Sequence, residues 1–204
     1  ITACYRVLEY SEGLAQEIAF SSEGAALGRE GEFSLCTVLF AIESACTVLK
    51  EDFKFELIDH IYTVVENLAS SSPVVRQYAQ SCAIFIAERF YQASLKDMIV
   101  DNMDYLVESI SARLNSGMIQ RVSAVLMVFC KLAGYEVFNN FKDIFETIFK
   151  LLDYYHGYDD MCVQFFDLFS VIISEMKKSY FLSNDMRWES DPDLANRTSY
   201  APWG

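Results

Sequence analysis

Apolar residues recur with a helical period along most of this chain, most clearly between Ser72 and Asn115. Ser72 precedes Pro73, a typical helix start, because the serine hydroxyl can accept a backbone N–H bond and proline at the first helical position has no N–H to lose. The pattern predicts a helix over residues 74–91. Its apolar positions, which share one face, are Val75, Tyr78, Ala79, Cys82, Ile86 and Phe90.

A second amphipathic helix follows almost at once and is predicted over residues 95–114. Ser94 and Asp97 are spaced as a capping box, in which each side chain accepts from the backbone N–H of the other residue. The apolar stripe consists of Ile99, Met103, Leu106, Ile110 and Leu114. Because only Gln92 and Ala93 separate the two predicted helices, we expect them to pack antiparallel.

The same two-helix pattern recurs on both sides of this unit. Downstream, Arg121 and Ala124 repeat Arg76 and Ala79 at an offset of 45 residues. Further helices are predicted over residues 1–20, 33–49, 53–69, 118–132, 137–155 and 160–178. A two-helix unit that recurs every ~40 to 47 residues is typical of HEAT and armadillo-like arrays. The pattern therefore predicts an all-α helical repeat solenoid (an α-α superhelix) over residues 1–182.

The last predicted helix is apolar around more than half of its circumference. At 100° per residue its apolar side chains fill an arc of roughly 220°, which is too wide for one neighbouring helix. The face that would pack or meet a partner consists of Phe165, Leu168, Phe169, Ile172 and Met176. Further repeats of the same polypeptide, a partner subunit or the tail could cover it, and we favour the first because the tail is short and polar.

Composition fits a helical core followed by a polar tail. The chain is 52% hydrophobic and 15% aromatic and has only 3 prolines, which suits long helices around a large core. No uninterrupted apolar run reaches the ~18 residues that span a bilayer, so no membrane span is expected. Residues 183–204 lose the apolar stripe and are predicted to be an acidic linker or disordered tail. Because the chain starts without methionine, we interpret it as a fragment of a longer solenoid. The wide apolar arc of the last predicted helix predicts that the isolated fragment self-associates.

The charge balance is strongly acidic. Sixteen basic and 29 acidic residues give a net charge of −13. This balance repels phosphate backbones, and no basic stripe gathers on one helix face, so nucleic-acid binding is disfavoured. The acidic residues either solvate the outer helix faces, which is the favoured interpretation, or form a surface for basic partner segments.

Residues that could carry chemistry are scattered along the chain. The six cysteines include no CxxC pair, which favours free buried thiols in a reducing compartment over a zinc site or a disulfide framework. His60 and His156 lie far apart, and no nucleophile or phosphate-binding motif is present. Neighbouring carboxylates such as Asp101 and Asp104 fit solvated helix starts. The sequence therefore predicts no catalytic residues, no metal site and no cofactor. It predicts a location in the cytoplasm, with the nucleus as a second location.

Two stretches resemble a known family: Asn102–Leu114 (NMDYLVESISARL) and Leu151–Asp160 (LLDYYHGYDD). Over residues 74–180 the chain resembles the Tel-two-interacting protein one family, the large HEAT-repeat subunit of the TTT co-chaperone complex. The resemblance implies a non-catalytic scaffold that works with the other TTT subunits and the heat-shock-ninety chaperone machinery. Together these proteins would mature phosphatidylinositol-kinase-related protein kinases, which act in TOR signalling and the DNA damage response.

Two classes of function follow from this pattern. The first is a rigid interaction scaffold, because stacked repeats offer long grooves for a partner's helix or extended segment. The alternative is an acidic transport-receptor-like solenoid that binds basic cargo segments. Recovery of kinase-maturation proteins in a pull-down would support the scaffold, whereas salt-sensitive binding of lysine-rich peptides would support the carrier. An enzyme ranks third.

Overall fold

The computed structural model describes residues 2–21, 27–134, 140–154 and 159–183. The helices are α1 (Thr2–Ser21), α2 (Arg29–Leu49), α3 (Phe53–Leu68), α4 (Pro73–Phe90), α5 (Leu95–Asp101), α6 (Met103–Asn115), α7 (Ile119–Ala133), α8 (Lys142–Tyr154) and α9 (Asp159–Ser183). A 3₁₀ turn at Lys50–Asp52 joins α2 to α3. The described ranges contain no β-strand, and the predicted all-α repeat solenoid is confirmed.

The helices stack in two layers. The first layer consists of α2, α4, α7 and α9, in which α2 packs against α4 and α7 packs against α9. The short helix α5 contacts both α4 and α7. The second layer consists of α1, α3, α6 and α8, and α3 contacts both α1 and α6. Because α3 also touches α2, α4 and α7, every residue from His60 to Asn67 is buried.

Two helix starts form as their local sequence predicts. The Ser72 hydroxyl accepts a hydrogen bond from the Val75 N–H at 3.4 Å, and the Ser94 hydroxyl accepts one from the Asp97 N–H at 3.1 Å. Each bond satisfies a backbone donor that has no partner inside its own helix. The second bond is one half of the predicted capping box.

The single helix predicted over residues 95–114 is wrong, because the structure breaks it at Asn102 into α5 and α6. Asn102 is buried, and its side-chain amide donates to the Tyr91 hydroxyl and to the Met98 carbonyl, both at 2.8 Å. The Met98 carbonyl is the acceptor that the Asn102 N–H would use in a continuous helix. That N–H instead donates to the Ile99 carbonyl at 3.3 Å. An asparagine side chain that bonds to a nearby backbone carbonyl can interrupt a helix in this way. The spacing of apolar residues does not reveal such a bond.

Other predicted boundaries move by a few residues. α2 begins at Arg29 rather than at residue 33, with two glutamates in its first turn, where the helix dipole favours negative charge. α9 continues to Ser183 rather than ending at residue 178. Parts of the predicted helix 137–155 and the tail from residue 184 onward lie outside the described residues, so the proposed domain division stays a prediction.

One stretch, Arg29–Leu68, is long and apolar enough by mean hydropathy to cross a membrane. It is not one continuous α-helix, since the 3₁₀ turn separates α2 from α3. Side chains such as Ile42 and Leu57 are fully buried against neighbouring helices. Core packing therefore accounts for the apolar residues on the buried side of this stretch, whereas Phe33, Phe40, Val48 and Phe55 are exposed.

Candidate interaction surface

The described residues hold no group of three or more His, Cys, Asp or Glu side chains that could bind a metal ion. Burial raises the pKa of the Cys46 thiol to about 11 and that of the Cys130 thiol to about 12, so neither forms a reactive thiolate at neutral pH. Burial also lowers the pKa of His60, which favours its neutral form, and His156 lies outside the described residues. The absence of enzyme activity, metal and cofactor stays a prediction, and the outer surface is the candidate site.

A groove of about 400 Å³ runs between α2 and α4 in the first layer. Its apolar lining includes Phe33 and Phe40 from α2 and Val74 and Tyr78 from α4, and all four side chains are exposed. Phe33 and Phe40 are two helical turns apart, so they lie on the same side of α2. Exposed apolar side chains around a groove are typical of protein-binding surfaces. We call this feature the α2–α4 groove.

The five residues predicted on the last helix divide into two groups. The three that are buried on the packed side of α9 are Phe165, Leu168 and Ile172. Phe169 is half-buried, and its ring stacks on the ring of Phe149 in α8 with the centroids 5.2 Å apart. Met176 is exposed. α9 therefore uses one part of its apolar arc to pack within the described structure.

The other part of this arc is not covered by the described helices. Phe166 and Ile173 are 64% and 65% exposed, and Met176 lies on the same flank of α9. Phe149, which stacks on Phe169, extends this apolar surface onto α8. We call Phe166, Ile173 and Met176 the α9 outer face. Whether a partner covers it stays a prediction.

Two arginines connect α3 to α6 and α7. The Arg113 guanidinium of α6 lies 3.6 Å from the centroid of the Tyr62 ring, and Arg121 of α7 donates to Glu66 Oε1 at 3.4 Å. Both α3 partners are buried. A guanidinium over an aromatic face is attracted by the negative potential of the ring. The first contact joins α3 to α6 within the second layer, and the second contact joins α3 to α7 in the first layer.

Carboxylates are close together where α1 meets α3. The pKa of Glu12 is raised first by burial, then by the Asp59 carboxylate and also by Glu9, while the Arg113 charge opposes the rise. Like charges raise a carboxyl pKa because each makes the ionised form of the other less favourable. The surface at α1 and α3 therefore carries negative charge that Arg113 only partly balances.

Sequence reasoning did not single out the groove or the arginine contacts. Phe33 and Phe40 lie off the buried stripe of α2, and an aromatic residue outside the core-facing stripe is the signal that could have found the groove. The contact of Arg113 with Tyr62 has no local signal, since it joins residues on different repeats.

Two family models match the chain. The model described as TELO2-interacting protein 1 matches residues 61–149, and the model described as Yeast TEL2-interacting protein 1, second TPR domain, matches residues 1–59. TEL2-interacting protein 1 of Saccharomyces cerevisiae is 54% identical to this chain over 201 residues, which is 98% of the chain. The chain spans about a fifth (19%) of the length of that relative. No solved structure matches this chain.

The matches cover both walls of the α2–α4 groove. The first overlaps the stretch on which the sequence resemblance rests, and the second extends the similarity through α1 and α2. The matched region shared with the yeast relative covers nearly the whole chain, including α9. The chain belongs to the TEL2-interacting protein 1 family.

Proposed function

We propose that this chain is a non-catalytic interaction scaffold that binds a TEL2-class protein. One observation carries the proposal: the chain is 54% identical over nearly all of its length to a yeast protein named for its interaction with TEL2. A match of this extent includes the outer helix faces as well as the core. Stacked repeats of this kind present rigid surfaces to partners.

The α2–α4 groove is the candidate interface for the TEL2-class partner. Four exposed apolar side chains from two parallel walls can receive one side of an amphipathic helix. Aromatic residues such as Phe33 and Phe40 are the kind that contribute most to protein interfaces.

We further propose that the chain acts with other TTT subunits and the heat-shock-ninety chaperone machinery to mature and stabilise phosphatidylinositol-kinase-related protein kinases. The family membership supports this role, and the six free cysteines fit a reducing compartment. The cytoplasm, with the nucleus as a second location, is such a compartment.

The α9 outer face supports a related proposal, that further repeats of the same polypeptide pack on it. Phe166, Ile173 and Met176 form an apolar flank, whereas the terminal helix of a repeat array normally carries a polar outer face. A partner subunit and the tail are the alternative coverings.

The second candidate function is the carrier that binds basic cargo segments. The carboxylates of Glu9, Glu12 and Asp59 favour it, because their shared negative charge attracts lysine and arginine.

Capture of the yeast TEL2 protein by the immobilised chain tests the scaffold function. We expect the wild-type chain to retain TEL2 at physiological salt and the double variant Phe33→Asp/Phe40→Asp to weaken binding by about tenfold or more. Val48→Asp is the matched control, since Val48 is exposed on α2 and does not line the groove. Failure of the wild-type chain to retain TEL2, with salt-sensitive capture of lysine-rich peptides instead, would favour the carrier.

A further inference from the structure

One side of α3 carries the same short pattern twice. Phe55, Asp59, Tyr62 and Glu66 are spaced by four, three and four residues, so they lie along one side of the helix. Each half of this row is an aromatic residue followed four residues later by a carboxylate. We call Phe55 and Asp59 the first pair, and Tyr62 and Glu66 the second pair.

The second pair is occupied by arginines of the chain itself. Arg113 stacks on the Tyr62 ring at 3.6 Å from its centroid, and Arg121 donates to Glu66 at 3.4 Å. Both members of the pair are buried under these contacts. The second pair therefore shows that each member of this pattern can receive a guanidinium: the ring receives that of Arg113 and the carboxylate that of Arg121.

Contacts at two levels show that α3 and α6 run parallel. Near the start of both helices, the Lys54 ammonium lies 5.5 Å from the centroid of the Tyr91 ring, and the Tyr91 hydroxyl accepts from Asn102. Further along both helices, Arg113 meets Tyr62. Positions early in α3 therefore lie beside positions early in α6.

Phe55 and Asp59 lie near the starts of α3 and α6, and both side chains are exposed. Tyr105 is eight residues before Arg113 and about 80° around α6 from it, so it lies at the level of the first pair. Phe55 is 76% exposed and Tyr105 is 42% exposed. In the described part of the chain, no lysine or arginine is ion-paired with Asp59. The other carboxylates on this stretch of α3, α5 and α6 are Glu56, Asp101, Asp104 and Glu108.

Among the described residues, Asp59 therefore has no ion-pair partner, and Arg113 balances the negative charge beside it only in part. Asp59 is also a cause of the raised pKa of Glu12, second to burial, which places the two carboxylates close enough to repel each other. Lys54, the nearest lysine in sequence, is directed over the Tyr91 ring. A cation from outside the chain would relieve this repulsion.

We propose that the first pair binds an arginine of a partner protein, which stacks on Phe55 and donates to Asp59. Tyr105 supplies a second ring, and the surrounding carboxylates attract the basic segment that carries the arginine. Arginine fits better than lysine, because its planar guanidinium can stack on a ring and bond a carboxylate through two N–H groups at once. The inference rests on the proposed scaffold function, since the partner must supply the arginine.

Binding of labelled peptides to the whole 204-residue chain, followed by fluorescence anisotropy at two salt concentrations, tests the inference. One short helical peptide carries arginines four residues apart, a second carries lysines at the same positions, and a third carries glutamines. We expect the arginine peptide to bind about three- to tenfold more tightly than the lysine peptide. The glutamine peptide is expected not to bind.

Substitutions in the first pair give the decisive comparison. Phe55→Ala and Asp59→Asn are each expected to weaken binding of the arginine peptide by about two- to fivefold, and the double variant by about tenfold. Phe20→Ala and Glu30→Gln are matched controls, since they change an exposed phenylalanine and an exposed glutamate on α1 and α2. All four side chains are exposed, so the variants should fold, and circular dichroism checks this.

Equal binding of the arginine and lysine peptides would overturn the inference, as would an unchanged affinity in Phe55→Ala or an equal loss in the controls. Those results would mean that general acidity attracts the peptides. Capture of TEL2 by the wild-type chain is a separate measurement. If capture fails while the arginine preference holds, the TEL2 assignment is wrong and the arginine site stands.

Discussion

α3 and α9 are both rich in apolar residues, yet their neighbours cover them to different extents. α3 touches α1, α2, α4, α6 and α7, and its residues from His60 to Asn67 are all buried. α9 packs chiefly against α7, and Phe166 and Ile173 remain exposed. The comparison shows that a helix with a wide apolar arc needs several neighbouring helices to bury it. The described helices bury only part of the apolar arc of α9.

The largest effect on stability is expected at the centre, beside α3. Leu106 is fully buried, as its position on the stripe of α6 predicts, whereas Glu108 is exposed. Leu106→Ala should lower the free energy of unfolding by about 2 to 5 kcal/mol, and Glu108→Ala should change it by less than about 0.5 kcal/mol. Urea unfolding of both variants measures this, and equal effects would mean that the register of α6 is wrong.

A smaller difference is expected between an ion pair at the centre and one at the end. Arg121→Ala leaves the buried Glu66 without this partner and should lower the free energy of unfolding by about 1 to 3 kcal/mol. Lys178→Ala removes the exposed contact of 2.7 Å with Glu175 on α9 and should change it by less than about 0.5 kcal/mol. Chemical denaturation of the two variants measures both changes. A larger loss of unfolding free energy in Lys178→Ala than in Arg121→Ala would contradict this prediction.

The centre should also make stability depend on pH. Burial lowers the pKa of His60 in the folded state below its ordinary value of 6.5, so unfolding takes up a proton once the pH falls below that value. Stability should then fall with decreasing pH, by up to about 1.4 kcal/mol per pH unit, until the folded pKa is reached. Unfolding curves measured from pH 7.5 down to the lowest pH at which the chain stays folded test this. In His60→Gln the free energy of unfolding should depend less strongly on pH. If the variant shows the same pH dependence as the wild-type chain, His60 is not its source.

The smallest effect on stability is expected at the α9 outer face, where self-association should change instead. Ile173→Glu and Phe166→Glu alter exposed side chains and should change the free energy of unfolding by about 0.5 kcal/mol or less. Each variant should self-associate less strongly than the wild-type chain in analytical ultracentrifugation. Ser174→Glu is the control, since Ser174 is exposed on α9 but lies further around the helix from the outer face. A wild-type chain that stays monomeric across the micromolar range and binds no hydrophobic dye would contradict this.

The parts of the fold that depend on local spacing could be predicted from the sequence. The stripe that includes Val75, Ala79 and Ile86 sets which side of α4 is buried, and Ser72 sets where that helix begins. Both are decided within a few residues along the chain. Local spacing also predicts the wide apolar arc of α9. The described neighbouring helices cover only part of this arc.

Features that depend on contacts between repeats could not be predicted in the same way. Asn102 breaks a helix because it bonds to Tyr91 in the preceding turn region, and periodicity does not reveal a buried polar partner. Arg113 meets Tyr62 across two repeats. The spacing of Phe55 and Asp59 is visible in the sequence, but its meaning depends on seeing that Tyr62 and Glu66 are already occupied by arginines.

Amide hydrogen exchange of the chain with and without the yeast TEL2 protein tests the central claim most directly. The scaffold proposal predicts that exchange slows in the first turns of α2 and α4, beside Phe33 and Val74, because these residues line the groove. It also predicts that α3, already buried on most sides, exchanges slowly whether or not TEL2 is present. If TEL2 leaves exchange in α2 and α4 unchanged while it slows exchange elsewhere, the groove is not the interface. If TEL2 changes exchange nowhere in the chain, the proposed scaffold function is contradicted.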